Sequence, residues 1–341
     1  MRQLKTRCRK VNAQNPEPAC IKEAAEIILG GGLAAFPTET VYGLGANALD
    51  GQAVRSIFKA KGRPADNPLT LHVAGFETAL PYLKDVPKEA CALAKAFLPG
   101  PLTMILPYRG GLPAEVTGGK DSLGVRLPDH PVALALIREA GVPLVAPSAN
   151  LSGRPSPTTA GHVLEDLAGR IDVVLDGGPT GLGLESTVVD LTGDKPVMLR
   201  PGLLTPEDLV PVLGRIEQGQ APAGKYTHYT PRAGVVLVEG SDPERVANKM
   251  RELARKYSEQ GKKTGLLIYR EEAGAFTGFT AEVAGSRSEP ATVAAGLFGA
   301  LRRLDKLGVD IIICAGFPGK GLGLAVQNRL RLAAGGNIIQ I

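Results

Sequence analysis

Tryptophan is absent from this chain of 341 residues, and aromatic residues make up only 4% of it. A protein that reads single-stranded nucleic acid by stacking bases on aromatic rings would find few platforms here. Cysteine is scarce too. Cys8, Cys20, Cys91 and Cys314 stand far apart and form no C-x-x-C pair, which argues against a zinc ribbon and a disulfide framework. The expectation is ordinary buried thiols. No apolar run reaches the roughly 20 residues that span a bilayer, and the N-terminal MRQLKTRCRKV has no apolar core of a signal peptide. A cytoplasmic location without a membrane partner is expected. The sequence also lacks a GxxxxGK[ST] loop, HExxH, GxSxG and the kinase motif set. Any nucleotide it handles is therefore held by another route.

The formal charge is +5, but its distribution matters more than its sum. Residues 1–10 carry five cations and no acids, residues 235–341 carry 15 cations against 11 acids, and residues 11–234 carry 19 against 23. A cationic cluster inside that slightly acidic body is a local device rather than part of a broad nucleic-acid footprint.

Alternating helical and strand patterns run through the first two thirds of the chain. The spacing predicts a helix over 16–29, with Asn15 as N-cap, Pro16 at its first position, Ile21, Ala24, Ala25 and Ile28 on one face and Gly30 as its stop. Strands are expected at 33–36, 69–73, 102–106, 143–146, 172–175 and 186–191, and helices at 52–60, 87–97 and 131–140. This is an α/β sheet domain, 1–214. Residues 215–234, RIEQGQAPAGKYTHYTPRAG, have neither periodicity and read as an interdomain linker. Residues 235–341 alternate again and form a smaller Rossmann-like α/β domain, although GKGLGLAVQ lacks the third glycine of a dinucleotide fingerprint. The Gly-rich stretch 107–122 is expected to be mobile.

Several short segments fall at strand ends, where open α/β sheets bind ligands. FPTETVYGLG (36–45) offers hydroxyls, an acid and glycines, which on their own read first as a polar turn between strand and helix and second as a site for a small zwitterion. KGRP puts Lys61 and Arg63 near one another, as a polyphosphate requires and as a solvated helix C-terminus also would. Arg126 sits in an otherwise apolar strand and needs a partner or a route to solvent. PLVAPSANLSGRPSPTTA leaves a buried strand into a loop of small hydroxyls stiffened by prolines. Together they suggest one site for a small polar substrate and a phosphate-rich cosubstrate.

FPTETVYGLG, KGRP, NPLTLH, PGPLT, GVRLP, APSANLSGRPSPTTA, LDGG, ESTVVD and LRPG, in this order, resemble the L-threonylcarbamoyladenylate synthase family in its long two-domain form, with a YrdC-like catalytic fold. The resemblance implies an ATP-dependent synthesis of L-threonylcarbamoyl-AMP and pyrophosphate from L-threonine and bicarbonate or CO2, with Mg2+. The product would pass to the machinery that makes threonylcarbamoyladenosine in transfer RNA. It implies that Lys61, Arg63, Asn67, Ser122, Ser148, Asn150, Ser156, Arg200 and the linker residue Tyr229 contact ATP. It implies that Thr40, His72, Arg126, the backbone of Ala146 and Ser186 hold threonine. Lys61, Arg63 and Arg200 would neutralise charge during the reaction, with no metal ligand among the side chains. Pro222-Ala223-Gly224-Lys225 and Thr180 depart from the family pattern. Loss of turnover with little loss of folding is expected for Lys61→Ala and for Arg63→Ala. Two other readings are an RNA-binding module that uses the basic N-terminal segment, with weak RNA affinity, and a carbamoyl-transfer domain.

Overall fold

The computed structural model describes residues 4–219 and 228–341. Among these, 4–152, 157–181 and 185–219 form one compact unit, and 153–156, 182–184 and 228–341 form a second. Linker residues 220–227, including Pro222 to Lys225, lie outside the described residues.

The first unit is built on β1 (Arg7–Lys10), β2 (Ala34–Phe36), β3 (Gly43–Asn47), β4 (Thr70–His72), β5 (Leu102–Pro107), β6 (Ser122–Arg126), β7 (Leu144–Val145), β8 (Val173–Asp176), β9 (Thr187–Asp190), β10 (Val197–Arg200) and β11 (Glu217–Gln218). They form one mixed sheet in the order β1-β8-β2-β3-β7-β4-β6-β5-β9-β10-β11. The core beneath β2 and β8 comes from the helices Pro18–Leu29 and Pro131–Ala140, whose apolar faces include Ile21, Ala24, Ile28, Val132 and Leu136.

The first helix starts at Pro18, not at Pro16 as its sequence suggests, with Glu17 in the N-cap position. Asn12 explains the difference: its Oδ1 accepts from the N–H groups of Gln14 and Asn15, both at 2.9 Å, and so commits Asn15 to a turn. The second half of FPTETVYGLG is a strand rather than a loop. β3 pairs antiparallel with β2, and a Cβ at Gly45 would stand 2.7 Å from the Phe36 ring, so glycine makes room for that ring. Residues 107–122 contain a helical turn, Ala114–Thr117, and Tyr108 Oη accepts from Leu112 N at 2.7 Å. Of the four cysteines only Cys314 is buried; Cys8 and Cys91 are exposed. Cys8 faces outward because its basic segment forms an outer strand of the sheet, paired on one side with β8. Within that segment Arg7 and Arg9 both pair with Glu23, at 2.7 Å, so two of its five cations are already engaged.

The second unit carries a parallel sheet of β12 (Gly234–Glu239), β13 (Thr264–Ile268), β14 (Ala281–Val283), β15 (Ile311–Ala315) and β16 (Ile338–Gln340), in the order β14-β13-β15-β12-β16. Asp242 caps the helix Pro243–Glu259 by accepting from Glu244 N and Arg245 N, and Val246, Met250 and Leu253 bury its inner face. The helix Leu322–Ala334, hidden in the sequence by the glycines of GKGLG, follows β15 directly.

Candidate active site

The KGR spacing has a local cause. Lys61 is the last residue of the helix Gly51–Lys61, and Gly62, at φ 61°, turns the chain through the left-handed region that terminates it. Arg63 N then bonds Phe58 O at 3.0 Å. Lys61 is thereby held inside the protein, only 2% exposed. Its Nζ donates to the carbonyl oxygens of Ser148 and of Asn150, the latter at 2.6 Å. Burial, then the neighbouring charge of Arg63, pushes its pKa well below the usual lysine value. Arg63 is less buried and lies against Asn67, donating from Nη2 to Asn67 Oδ1 at 2.6 Å and to Pro68 O at 2.8 Å. Ser148 is also bridged to Gly43, and Asn150 Nδ2 donates to Leu151 O at 2.8 Å. Ser122 begins β6 at its opposite end from Arg126.

A second group gathers at the far ends of β4 and β6. His72 and Arg126 are register partners in this parallel pair, and Thr103 faces Arg126 from β5. Arg126 is 6% exposed and finds the partner its apolar strand demands. Its Nη2 lies 2.9 Å from Glu39 Oε1 and donates to Thr40 Oγ1 at 2.7 Å. His72 Nδ1 stands 3.2 Å from Thr70 O. A carbonyl can only accept, so Nδ1 carries the proton and Nε2 is left an acceptor. Burial, reinforced by the charge of Arg126, pushes the His72 pKa down to about 3. The ring is neutral at neutral pH. Ala146 N donates to Thr70 O at 3.1 Å, which sets that backbone beside β4. Thr103 Oγ1 meets Ser186 Oγ at 2.8 Å, and Arg200 holds Ser186 twice, from Nε to its carbonyl at 3.0 Å and from Nη2 to its hydroxyl at 3.1 Å.

These contacts join into one chain. Lys61 reaches Ser148, Ser148 bridges Gly43, the turn before Gly43 carries Thr40, and Thr40 leads through Arg126, Thr103 and Ser186 to Arg200. Cations and hydroxyls distant in sequence thus line up across neighbouring strands. Donor-rich groups at Lys61, Arg63 and Arg200 suit phosphate, whereas the neutral histidine, buried ion pair and hydroxyls suit a small zwitterion.

The family model of Sua5, YciO and YrdC proteins, described as telomere recombination, matches residues 26–202, and the model described as threonylcarbamoyl-AMP synthase, C-terminal domain, matches 204–335. The threonylcarbamoyl-AMP synthase of Pyrococcus abyssi is 49% identical over 335 residues, covering 94% of this chain and 96% of that protein. The chain belongs to the threonylcarbamoyl-AMP synthase family. The Bacillus subtilis threonylcarbamoyl-AMP synthase is 47% identical over 94% of each chain. The crystal structure of P. abyssi Sua5 complexed with L-threonine superposes with a TM-score of 0.92 at 46% identity, covering 98% of this chain and 100% of that one. The fold is therefore the two-domain α/β architecture of the family, a YrdC-like unit followed by a smaller α/β unit.

Of the residues singled out from the sequence, all but Ser156 and Tyr229 lie in the first unit. Ser156 is buried and counted with the second unit. Tyr229 is also part of the second unit, 8% exposed, with its ring stacked on Phe298 at 5.2 Å and Arg329 5.5 Å from its centroid. Sequence reasoning passed over Glu39, Thr38 and Thr103. Thr38 Oγ1 meets Thr40 Oγ1 at 2.8 Å, and Glu39 pairs with Arg126. The signal for Glu39 was present: a buried arginine in an apolar strand needs an anion, and the one acid in FPTETVYGLG could supply it.

Proposed function

We propose that this chain is a nucleotidyltransferase that makes L-threonylcarbamoyl-AMP and pyrophosphate from L-threonine, bicarbonate or CO2, and ATP, for threonylcarbamoyladenosine formation in transfer RNA. The observation that carries the reading is the contact chain from Lys61 to Arg200, which supports a role in phosphate binding for the cations at its two ends and in amino-acid binding for Thr40, Arg126 and Ser186 between them. P. abyssi Sua5, similar over the whole chain, has been crystallised with L-threonine.

In this mechanism the α-ammonium of threonine first loses a proton to solvent, the lone pair of the free amine forms the N–C bond to CO2 as one C–O π pair moves onto oxygen, and a second N–H proton leaves to solvent, which gives the carbamate. A carbamate oxygen attacks the α-phosphorus in line; the new O–P bond forms as the bond to pyrophosphate breaks, and the leaving electron pair departs with pyrophosphate. The protein positions, neutralises and excludes water. Arg63 and Arg200 face the phosphates with Ser122, Ser148 and Asn67, and Lys61 fixes the 148–150 loop by its carbonyls. His72, Thr40, Arg126, Ser186 and the Ala146 backbone hold threonine. Magnesium would be held by the nucleotide phosphates and would neutralise their charge, since Lys61, Arg63, Arg200, Ser122 and Ser148, assigned here to the nucleotide, are cations and hydroxyls that bind phosphate rather than carboxylates that bind Mg2+. The product passes to the transfer machinery in the cytoplasm.

The test is incubation with ATP, labelled bicarbonate and each amino acid in turn, followed by mass measurement of the products. Threonine-dependent pyrophosphate and a labelled threonylcarbamoyl-AMP are expected. Carbamoyl phosphate replacing bicarbonate would point to the carbamoyl-transfer reading, and RNA affinity without turnover to the binding module.

A further inference from the structure

None of the roles above uses the carboxylate of Glu39. Its side chain is 10% exposed, and Oε1 stands 2.9 Å from Arg126 Nη2. Yet both carboxylate oxygens are shut off from solvent and neither has a hydrogen-bond partner among the described residues. Nearby backbone donors are taken, because Thr40 N and Val41 N both point at Thr38 Oγ1, at 3.2 and 3.3 Å. Arg126 mirrors the deficit. Its Nη2 donates to Thr40 Oγ1, whereas its Nε is buried with no acceptor. One buried ion pair thus carries unfilled acceptors on its anion and an unfilled donor on its cation. Buried polar atoms in folded proteins are almost always partnered, so this pair lacks something that donates at one end and accepts at the other.

An α-amino acid zwitterion has that form, with an ammonium and a carboxylate on one carbon. We infer that Glu39 is a substrate-binding residue that receives the α-ammonium of the amino acid while Arg126 Nε receives its carboxylate. The inference rests on the threonine reading above and extends it by naming the group that selects the substrate's nitrogen. An ammonium supplies three donors to a carboxylate that accepts about four hydrogen bonds. A hydroxy acid would satisfy Arg126 and leave Glu39 empty; an amine without a carboxylate would do the reverse. Discrimination is strong at such a site because the wrong ligand leaves a buried charge unpaired. The contact also changes with the reaction. Once the nitrogen is part of a carbamate it is no longer a cation, and Glu39 loses its counter-charge as the product forms.

The experiment is calorimetric titration of the full chain with L-threonine and with 3-hydroxybutanoate, which is threonine without its ammonium, for the unaltered protein and for Glu39→Gln. The unaltered protein should bind 3-hydroxybutanoate at least about 100-fold more weakly than threonine. Glu39→Gln should weaken threonine at least about 10-fold and leave 3-hydroxybutanoate within about twofold. Equal affinity of the unaltered protein for the two ligands overturns the inference, as does a Glu39→Gln variant that binds threonine normally or loses both ligands alike. If the variant does not fold, the two-ligand comparison on the unaltered protein still decides. A chain that binds a different amino acid with the same ammonium dependence supports Glu39 and sinks the threonine reading. A chain that binds no amino acid sinks both.

Discussion

His72 on β4 and Arg126 on β6 sit directly opposite one another in a parallel pair, so a permanent cation lies on the next strand from a buried imidazole. Neighbouring strands are about 4.8 Å apart. Burial is the larger cause and the arginine the second in pushing the His72 pKa down to about 3.

The sign of the resulting pH dependence is fixed. Between pH ~6.5 and 3 the unfolded chain binds a proton at His72 that the folded chain does not, so this contribution to stability is complete above about 6.5 and is lost as pH falls toward 3. His72→Asn keeps a donor near the Thr70 carbonyl but removes the titration. Relative to this variant the natural chain should lose about 2.5 kcal/mol of stability from pH ~7 to ~4.5, measured by urea unfolding. An unchanged gap between the two would contradict a buried neutral histidine.

Lys61 reads from the sequence as a residue that can be removed with little harm to folding, and its burial alters that expectation. Lys61→Met retains the apolar stem but strips the donor from the Ser148 and Asn150 carbonyls. The variant should lose about 1–3 kcal/mol of stability as well as nucleotide affinity. Arg63→Ala removes a more accessible side chain and should lose affinity with little change in stability. Urea melts of both, beside ATP titration, separate a loop-fixing role from a purely ligand-binding one.

Gly202 follows the LRP segment and packs against the backbone of Ser186, which Arg200 holds, and of Thr187. A Cβ there would come within 2.3 Å of Thr187 N and 2.6 Å of the Ser186 carbonyl carbon, which are backbone atoms that cannot swing away. Gly202→Ala should therefore displace Ser186, lower stability by about 1–3 kcal/mol and weaken threonine binding. A variant with unchanged melting temperature and threonine affinity would show that this contact does not support the site.

In the second unit Tyr229 adopts φ 58°, a left-handed conformation that a tyrosine rarely takes, and its ring stacks on Phe298. Tyr229→Ala should cost about 2–4 kcal/mol through the lost ring, whereas Tyr229→Phe should stay within about 1 kcal/mol. Hydrogen exchange of the helix Pro290–Lys306, which carries Phe298, reads the difference.

Some elements were legible because their determinants are local. The helix Pro131–Ala140 has proline at its first position, a staggered apolar face and Gly141 at φ 64° to end it, all within a dozen residues. The start of the first helix was not, since a side chain six residues upstream captured the intended cap. β3 was hidden because its two glycines, Gly43 and Gly45, carry no β signal, and the need for Gly45 comes from the Phe36 ring across the hairpin.

The sequence by itself determined that Lys61, Arg63, Ser186 and Arg200 stand at element ends, and that Arg126 in its apolar strand must meet a partner or reach solvent, because capping, periodicity and the cost of a buried charge act over short distances. Only the tertiary structure decided that the partner is Glu39, that Lys61 is turned inward to the 148–150 loop, and that His72 is neutral. Those outcomes depend on which strands become neighbours, and strand order is settled by packing between segments far apart in the chain.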